Sequence, residues 1–145
     1  MKRTIIVALF LTIATTYSFA TPTSNHNGEV KTSFHQDFKN AQLMSTEAYS
    51  NFTKLTFKMD GQVLCAFYSG NGELLAVTRN ILSSQLPINL MLSLKKHYSE
   101  HWITDLFEFN GNEQTSYYVS LENADSKITL RSNGDNWEVY STTKK

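Results

Sequence analysis

One cysteine, Cys65, stands among the 145 residues, so no disulfide can form within the chain. Charge of either sign is not in excess: 13 Lys and Arg face 13 Asp and Glu. That balance exerts no electrostatic pull on nucleic acid or anionic lipid. Long apolar runs are missing too. The most apolar stretch, Ile5–Ala14, is shorter than the roughly 20 residues a helix needs to span a bilayer. The chain also has no Gly-x-Ser-x-Gly elbow, no His-Glu-x-x-His and no phosphate-cradling glycine loop. These absences disfavour an enzyme and leave no cofactor with a sequence footing.

What is present begins with an ordered leader. Lys2 and Arg3 precede the apolar run, and Ser18-Phe19-Ala20 places small residues three and one before a cleavage point. A charged start, an apolar middle and a small-residue end form a secretory signal. Residues 1–20 are expected to be removed after Ala20, sending residues 21–145 to the periplasm or the medium with a formal charge of −2. The alternative is an uncleaved anchor or strand. No cysteine follows the run to accept a lipid. Exported small domains often rely on disulfides; this one must rely on apolar burial. Its aromatics offer that burial, among them Phe34, Phe38, Phe52, Phe57, Phe67, Phe107, Phe109, Trp102 and Trp137.

Residues 21–28 are small and polar, and read as a flexible leader. From Glu29 to about Asn40 the pattern is helical, with Val30, Phe34 and Phe38 on one stripe. Ala41–Tyr49 is a weak strand pattern. Phe52–Met59 is a strong one, alternating Leu55, Phe57 and Met59 with Lys54, Thr56 and Lys58. Asp60-Gly61 and Asn71-Gly72 are hairpin turns between Val63–Tyr68 and the flanking strands. Val63–Tyr68 is apolar on both faces, so its buried side is unassigned. Pro87 suits the first turn of a second helix carrying Leu90, Met91, Leu94 and Tyr98. Strand patterns follow at Trp102–Phe109, Thr115–Leu121, Lys127–Arg131 and Asn136–Tyr140, and the polar tail 141–145 reads as frayed.

The second half repeats the order of the first. At an offset of 60, Phe34 matches Leu94, Phe38 matches Tyr98, Leu43 matches Ile103 and Tyr49 matches Phe109. At an offset of 62, Leu55 matches Tyr117, Phe57 matches Val119 and Asn71-Gly72 matches Asn133-Gly134. This is the mark of duplication, with repeats at 29–79 and 84–140. One helix on four strands is too small to be stable alone. The expected fold is therefore α+β: two α-β4 repeats sharing an antiparallel sheet of about eight strands, helices on one face and the other face open.

Three stretches carry a family likeness. V-L-C-A-F-Y-S-G-N-G-E-L-L-A-V-T-R (Val63–Arg79), L-K-K-H-Y (Leu94–Tyr98) and Y-Y-V-S-L-E-N (Tyr117–Asn123) resemble exported PepSY-like proteins of Gram-negative bacteria. The likeness covers about residues 29–140. It implies a fold similar to the β-lactamase inhibitor protein, with two α-plus-four-strand repeats forming a concave sheet, and a binding or inhibitor module rather than a reaction. It carries over no inhibitory residue, and the β-lactamase inhibitor protein is disulfide-bonded, from which this chain departs.

Individual reactive residues read as structural. Cys65 alternates with Val63 and Phe67 and is expected to be a core thiol rather than a nucleophile, which would need access and a lowered pKa. His97 and His101 have the spacing of two helical metal ligands, yet no third ligand joins them, so they read as surface histidines. Asp105 and Glu108 read as a solvated strand edge, and Asn51-Phe52-Thr53 as a chance glycosylation sequon. The open face offers more. Tyr118 and Tyr140 fall opposite the core-facing residues of their strands, with Arg131, Lys54, Lys58, Thr56, Ser120, Thr129 and Glu138 beside them. Tyr and Arg are favoured anchors at interfaces. The leading expectation is a non-catalytic module that binds an envelope or secreted protein on this face. The second is a small-ligand or envelope-sensing domain, which needs an apolar pocket between helices and sheet. No metal, nucleic acid or stable membrane insertion is expected.

Overall fold

The structure, a computed structural model, describes residues 26–111 and 114–145. The expected signal at residues 1–20 lies outside the described residues, as do 21–25 of the leader. Helix α1 (His26–Asp37) begins before Glu29 and ends before Asn40. Four strands follow: β1 (Gln42–Ala48), β2 (Thr53–Met59), β3 (Gln62–Tyr68) and β4 (Leu74–Asn80). A single 3-10 turn at Ser83–Gln85 leads to α2 (Ile88–His97), then β5 (Trp102–Gly111), β6 (Gln114–Glu122), β7 (Ser126–Asn133) and β8 (Asn136–Lys144). The weak pattern before Tyr49 is a strand. The tail expected to fray is the end of β8, held where Lys145 donates to Asp125 O at 3.0 Å and pairs with Glu122.

The eight strands form one antiparallel sheet in sequence order. Directly opposed residues share a face, so the ladder Phe57–Leu64–Arg79–Glu108–Tyr117 runs along one side. Both helices pack on that side. Val30 and Phe34 of α1 are buried on Leu55, Phe57, Ala66 and Tyr68. Leu94 of α2 is buried with Leu106, Val119, Leu121 and Leu130. Inward residues of β3 are therefore Leu64, Ala66 and Tyr68, while Val63, Cys65 and Phe67 face outward.

Polar groups lock each helix to its strands. Tyr68 donates its hydroxyl to Asp37 Oδ2 at 2.8 Å, pinning the end of α1; burial first, and that bond second, push the phenol pKa up. Trp137 Nε1 donates to Leu90 O at 2.9 Å, joining α2 to β8. Between the two apolar clusters lies an ion pair. Arg79 donates from Nε and a terminal nitrogen to both oxygens of Glu108, at 3.2 and 3.0 Å. Glu108 therefore sits on the helix side of a central strand, between the two clusters and not on a solvated edge, and its side chain is 14% exposed. The Arg79 hydrogen bonds hold its carboxyl below the usual range against opposing desolvation.

The halves share a further detail. A bulge interrupts the ladder at Leu43/Ser45 and again at Ile103/Asp105, offset by 60. Leu43 opposes Phe57 and Ile103 opposes Leu121, so β2 and β6 correspond at an offset of 64 rather than 62. The longer β5 and β6 arms account for the difference, and the Asn-Gly turns keep the offset of 62.

Those turns yield a controlled comparison. Gly72 and Gly134 have φ of 78° and 59°. A Cβ on Gly72 would lie 2.8 Å from Ser33 Oγ and 3.3 Å from the Glu29 backbone, whereas Gly134 has nothing within 4 Å. Both Ala variants should lose about 1 kcal/mol to backbone strain, and Gly72→Ala roughly 1 kcal/mol more from crowding. Denaturant unfolding checks this; equal losses would contradict the docking of α1 on this turn. Glu108→Gln should cost roughly 1–2 kcal/mol at neutral pH. A carboxyl lowered in the folded state stabilises above its unfolded value, about 4.5, and that contribution fades as the pH falls through the lowered folded value. The gap between the native protein and Glu108→Gln should therefore close in acid; a gap independent of pH would contradict the pairing.

Candidate functional site

No helix covers the outward side of the sheet. Its central ladder runs Asn80–Phe107–Tyr118–Arg131–Glu138. Antiparallel pairing sets Phe107 directly beside Tyr118, and their rings stack at 5.1 Å and 5°. Phe109 meets Tyr118 edge-on at 6.1 Å, and Tyr140 does so at 5.6 Å. Both are favoured aromatic geometries. With Phe67, Thr78, Asn80 and Thr129 these rings line a groove of about 460 Å³. Phe67 also meets Phe52, which stacks on Tyr49 at 4.6 Å, so the aromatic band continues to the β1–β2 turn. Gly111 makes room for the band: a Cβ there would lie 2.8 Å from the Phe109 ring.

Of the five residues expected on this face, the structure gathers three. Tyr118, Tyr140 and Arg131 meet, with the Arg131 guanidinium 5.8 Å from the Tyr118 ring centre. Lys54 opposes Phe67 but is tied to Glu47 at 3.0 Å. That bond, then one from the Tyr49 hydroxyl, lowers the Glu47 pKa, and Glu47 in turn raises Tyr49 and Lys54. Lys58 lies on the same face, opposite Gln42 and Val63, and does not reach the groove. Thr129 lines it, Ser120 bonds Thr129 at 3.3 Å, and Glu138 takes a 2.6 Å bond from Asn133.

Phe52, Phe67, Phe107 and Phe109 do not belong to the helix-side core, and Trp102 is half-exposed with Lys145 over its ring at 5.4 Å. Within Leu106–Phe109 the two Phe share a parity opposite to Leu106, but only pairing with β6 shows which parity is buried. Cys65 is corrected too. It faces outward beside Thr56, 3.6 Å from its hydroxyl, because its neighbours Leu64 and Ala66 face α1.

The remaining chemistry is dispersed. Asp105 opposes Ser120 on the outward side while Glu108 faces the helices, so the two carboxylates are not a pair. Helix α2 ends at His97, which separates it from His101. His101 Nε2 meets Asn123 Nδ2 at 3.1 Å. Asn123 Oδ1 already accepts the Asp125 and Ser126 N–H groups, so its amide nitrogen must point at His101. Among the described residues no cluster of three His, Cys, Asp or Glu could hold a metal, and no helix is long and apolar enough to cross a membrane. A helix-side groove of about 340 Å³ lies at the end of α2, lined by Leu94, Tyr98, His101, Ile103 and Leu121 among others.

No family model matches the chain, and no curated protein matches it. Solved structures do. A DUF2874 family protein from Bacteroides uniformis superposes with a TM-score of 0.70 at 12% identity, over 80% of this chain and 87% of its own. A protein from Bacteroides eggerthii, of suggested periplasmic location, has a TM-score of 0.70 at 11% identity, over 80% and 86%. A BLIP-like protein from Bacteroides fragilis has a TM-score of 0.67 at 13% identity, over 81% and 84%. At these identities the likeness establishes the fold: α+β, with a β-lactamase inhibitor protein-like open sheet and two helices.

Proposed function

We propose that this protein is an exported, non-catalytic binding module whose bare sheet face receives another envelope or secreted protein. One observation carries the reading: the aromatic band and groove centred on Tyr118 lie on the face that no helix covers. Contiguous apolar surface that is partly open to solvent, as this band is, is typical of interaction sites, and Tyr and Arg dominate binding energy at interfaces. The sheet edges point the same way. The β1 edge is bulged at Met44 and the β8 edge at Tyr140, and bulged edges resist the addition of a foreign strand. That leaves the face as the route of approach.

Export rests on the leader at residues 1–20, with the suggested location of the B. eggerthii neighbour in support. Kinship with PepSY-like proteins and internal duplication complete the proposal, resting on Val63–Arg79 and on the repeated element order. An inhibitor role follows only by analogy of fold with the BLIP-like neighbour.

The double variant Tyr118→Ala/Tyr140→Ala tests the face. Among the described residues neither tyrosine hydroxyl has a hydrogen bond that the fold would lose, so cooperative unfolding and the circular dichroism spectrum should persist. Capture of an envelope partner by the immobilised protein should weaken about 100-fold. Undiminished capture by the folded variant would contradict the proposal. The mass of the exported chain, expected to start at Thr21, checks the leader.

A further inference from the structure

We infer that Asn133-Gly134, at the tip of the β7–β8 hairpin, is a site of spontaneous covalent modification, at which the folded protein converts its own asparagine to aspartate and isoaspartate. The chain has four Asn-Gly pairs: Asn27-Gly28, Asn71-Gly72, Asn110-Gly111 and Asn133-Gly134. A glycine leaves the backbone nitrogen after Asn unshielded, because it has no side chain. That nitrogen, once solvent base has taken its proton, attacks Asn Cγ. The new N–C bond closes a cyclic imide, and the side-chain amide nitrogen leaves as ammonia. Water then adds to either imide carbonyl. Opening at Cγ gives aspartate. Opening at the backbone carbonyl gives isoaspartate, with the main chain rerouted through Cβ and Cγ.

Sequence alone makes the pairs equivalent, and the fold separates them. Ring closure draws Asn out of its folded conformation, so the local structure must open first. Three of the pairs lie in or beside the sheet, and opening costs each a different set of contacts. Gly72 donates its N–H to Ser69 O at 3.0 Å, and Asn71 Oδ1 accepts the Ser69 hydroxyl. Helix α1 covers this turn, with Ser33 Oγ 2.8 Å from the place of a Gly72 Cβ. Asn110 donates to Glu108 Oε1 at 2.8 Å and accepts from Thr115 at 2.5 Å, while Gly111 is paired with Ala76 on one side and Gln114 on the other. Asn133 is held by the last rung of its hairpin, opposite Asn136, and by its amide bond to Glu138 at 2.6 Å. Gly134 turns the chain with a φ of 59°, and nothing lies within 4 Å of the place of its Cβ. Among the described residues no acceptor meets its N–H. Both residues are exposed, so solvent base reaches the nitrogen that must lose a proton.

The change alters the hairpin. A donor to Glu138 becomes a carboxylate beside it, and neighbouring like charges repel. Isoaspartate also adds a methylene to the backbone of β7, next to the rung that pairs Ser132 with Trp137. Trp137 is the residue that ties β8 to α2 through Leu90 O.

Incubation of the folded protein at mildly alkaline pH in water enriched in heavy oxygen, followed by peptide mapping by mass spectrometry, tests this. Asn133 should convert about tenfold faster than Asn71 or Asn110, because its opening breaks the fewest contacts. The product should be a mixture of aspartate and isoaspartate carrying one heavy oxygen. In denaturant the three sites should convert at similar rates. Asn71 or Asn110 keeping pace with Asn133 in the folded protein, or a lead for Asn133 that persists in denaturant, overturns the inference, since the fold would not be selecting the site. A product without isoaspartate overturns it as well, because the imide would not have formed.

Discussion

Burial of Phe34 and Leu94 against the same side of one eight-stranded sheet is the constraint on which the other features depend. Each helix is about three turns long and shields only the strands beneath it. Two apolar clusters result, one under each helix, rather than a single continuous core. The strip between them cannot be fully dried, and it is filled by Arg79 and Glu108, whose bidentate pairing satisfies both charges where the helices leave a gap. With no disulfide available, these clusters, the Tyr68–Asp37 bond and the Trp137–Leu90 bond are what fix the helices to the sheet.

The same constraint leaves the opposite side of the sheet without a cover. Strands there cannot be uniformly polar, because β3 and β5 cross the middle of the sheet with Phe67, Phe107 and Phe109 turned outward. Those rings are sheltered mainly by each other. Stacking of Phe107 on Tyr118 and the edge contacts of Phe109 and Tyr140 reduce the exposed area without a second layer. Such a surface is ordered before any partner arrives, so little side-chain freedom remains to be lost on binding. A cation held against one ring adds direction to an otherwise apolar surface.

Much of this was legible in the residues. The Val30–Phe34–Phe38 stripe, the alternation around Leu55 and Phe57, and the turns at Asp60-Gly61, Asn71-Gly72 and Asn133-Gly134 all mark local structure, and positive φ at each of these turns matches the residue types. Alternation in β6 and β8 also placed Tyr118 and Tyr140 outward. What local pattern lacked was the information carried by pairing. The sides of Val63–Tyr68 and of Phe107 and Phe109 are set by register with neighbouring strands, so Cys65 and four phenylalanines pass for core residues until the ladder is known. The end of β8 has no apolar alternation; it is ordered because β7 supplies backbone partners and Lys145 reaches Glu122 and Asn123. Bulges, which shift parity midway along a strand, leave no signature of their own in this chain.

Photo-cross-linking in living cells tests the central claim most directly, with benzoylphenylalanine placed at Thr129 in the groove or at Leu92 on the exposed side of α2. The account predicts a protein adduct from position 129 and none from position 92. Adducts from position 92 alone, or from neither, would contradict a binding face on the uncovered side of the sheet.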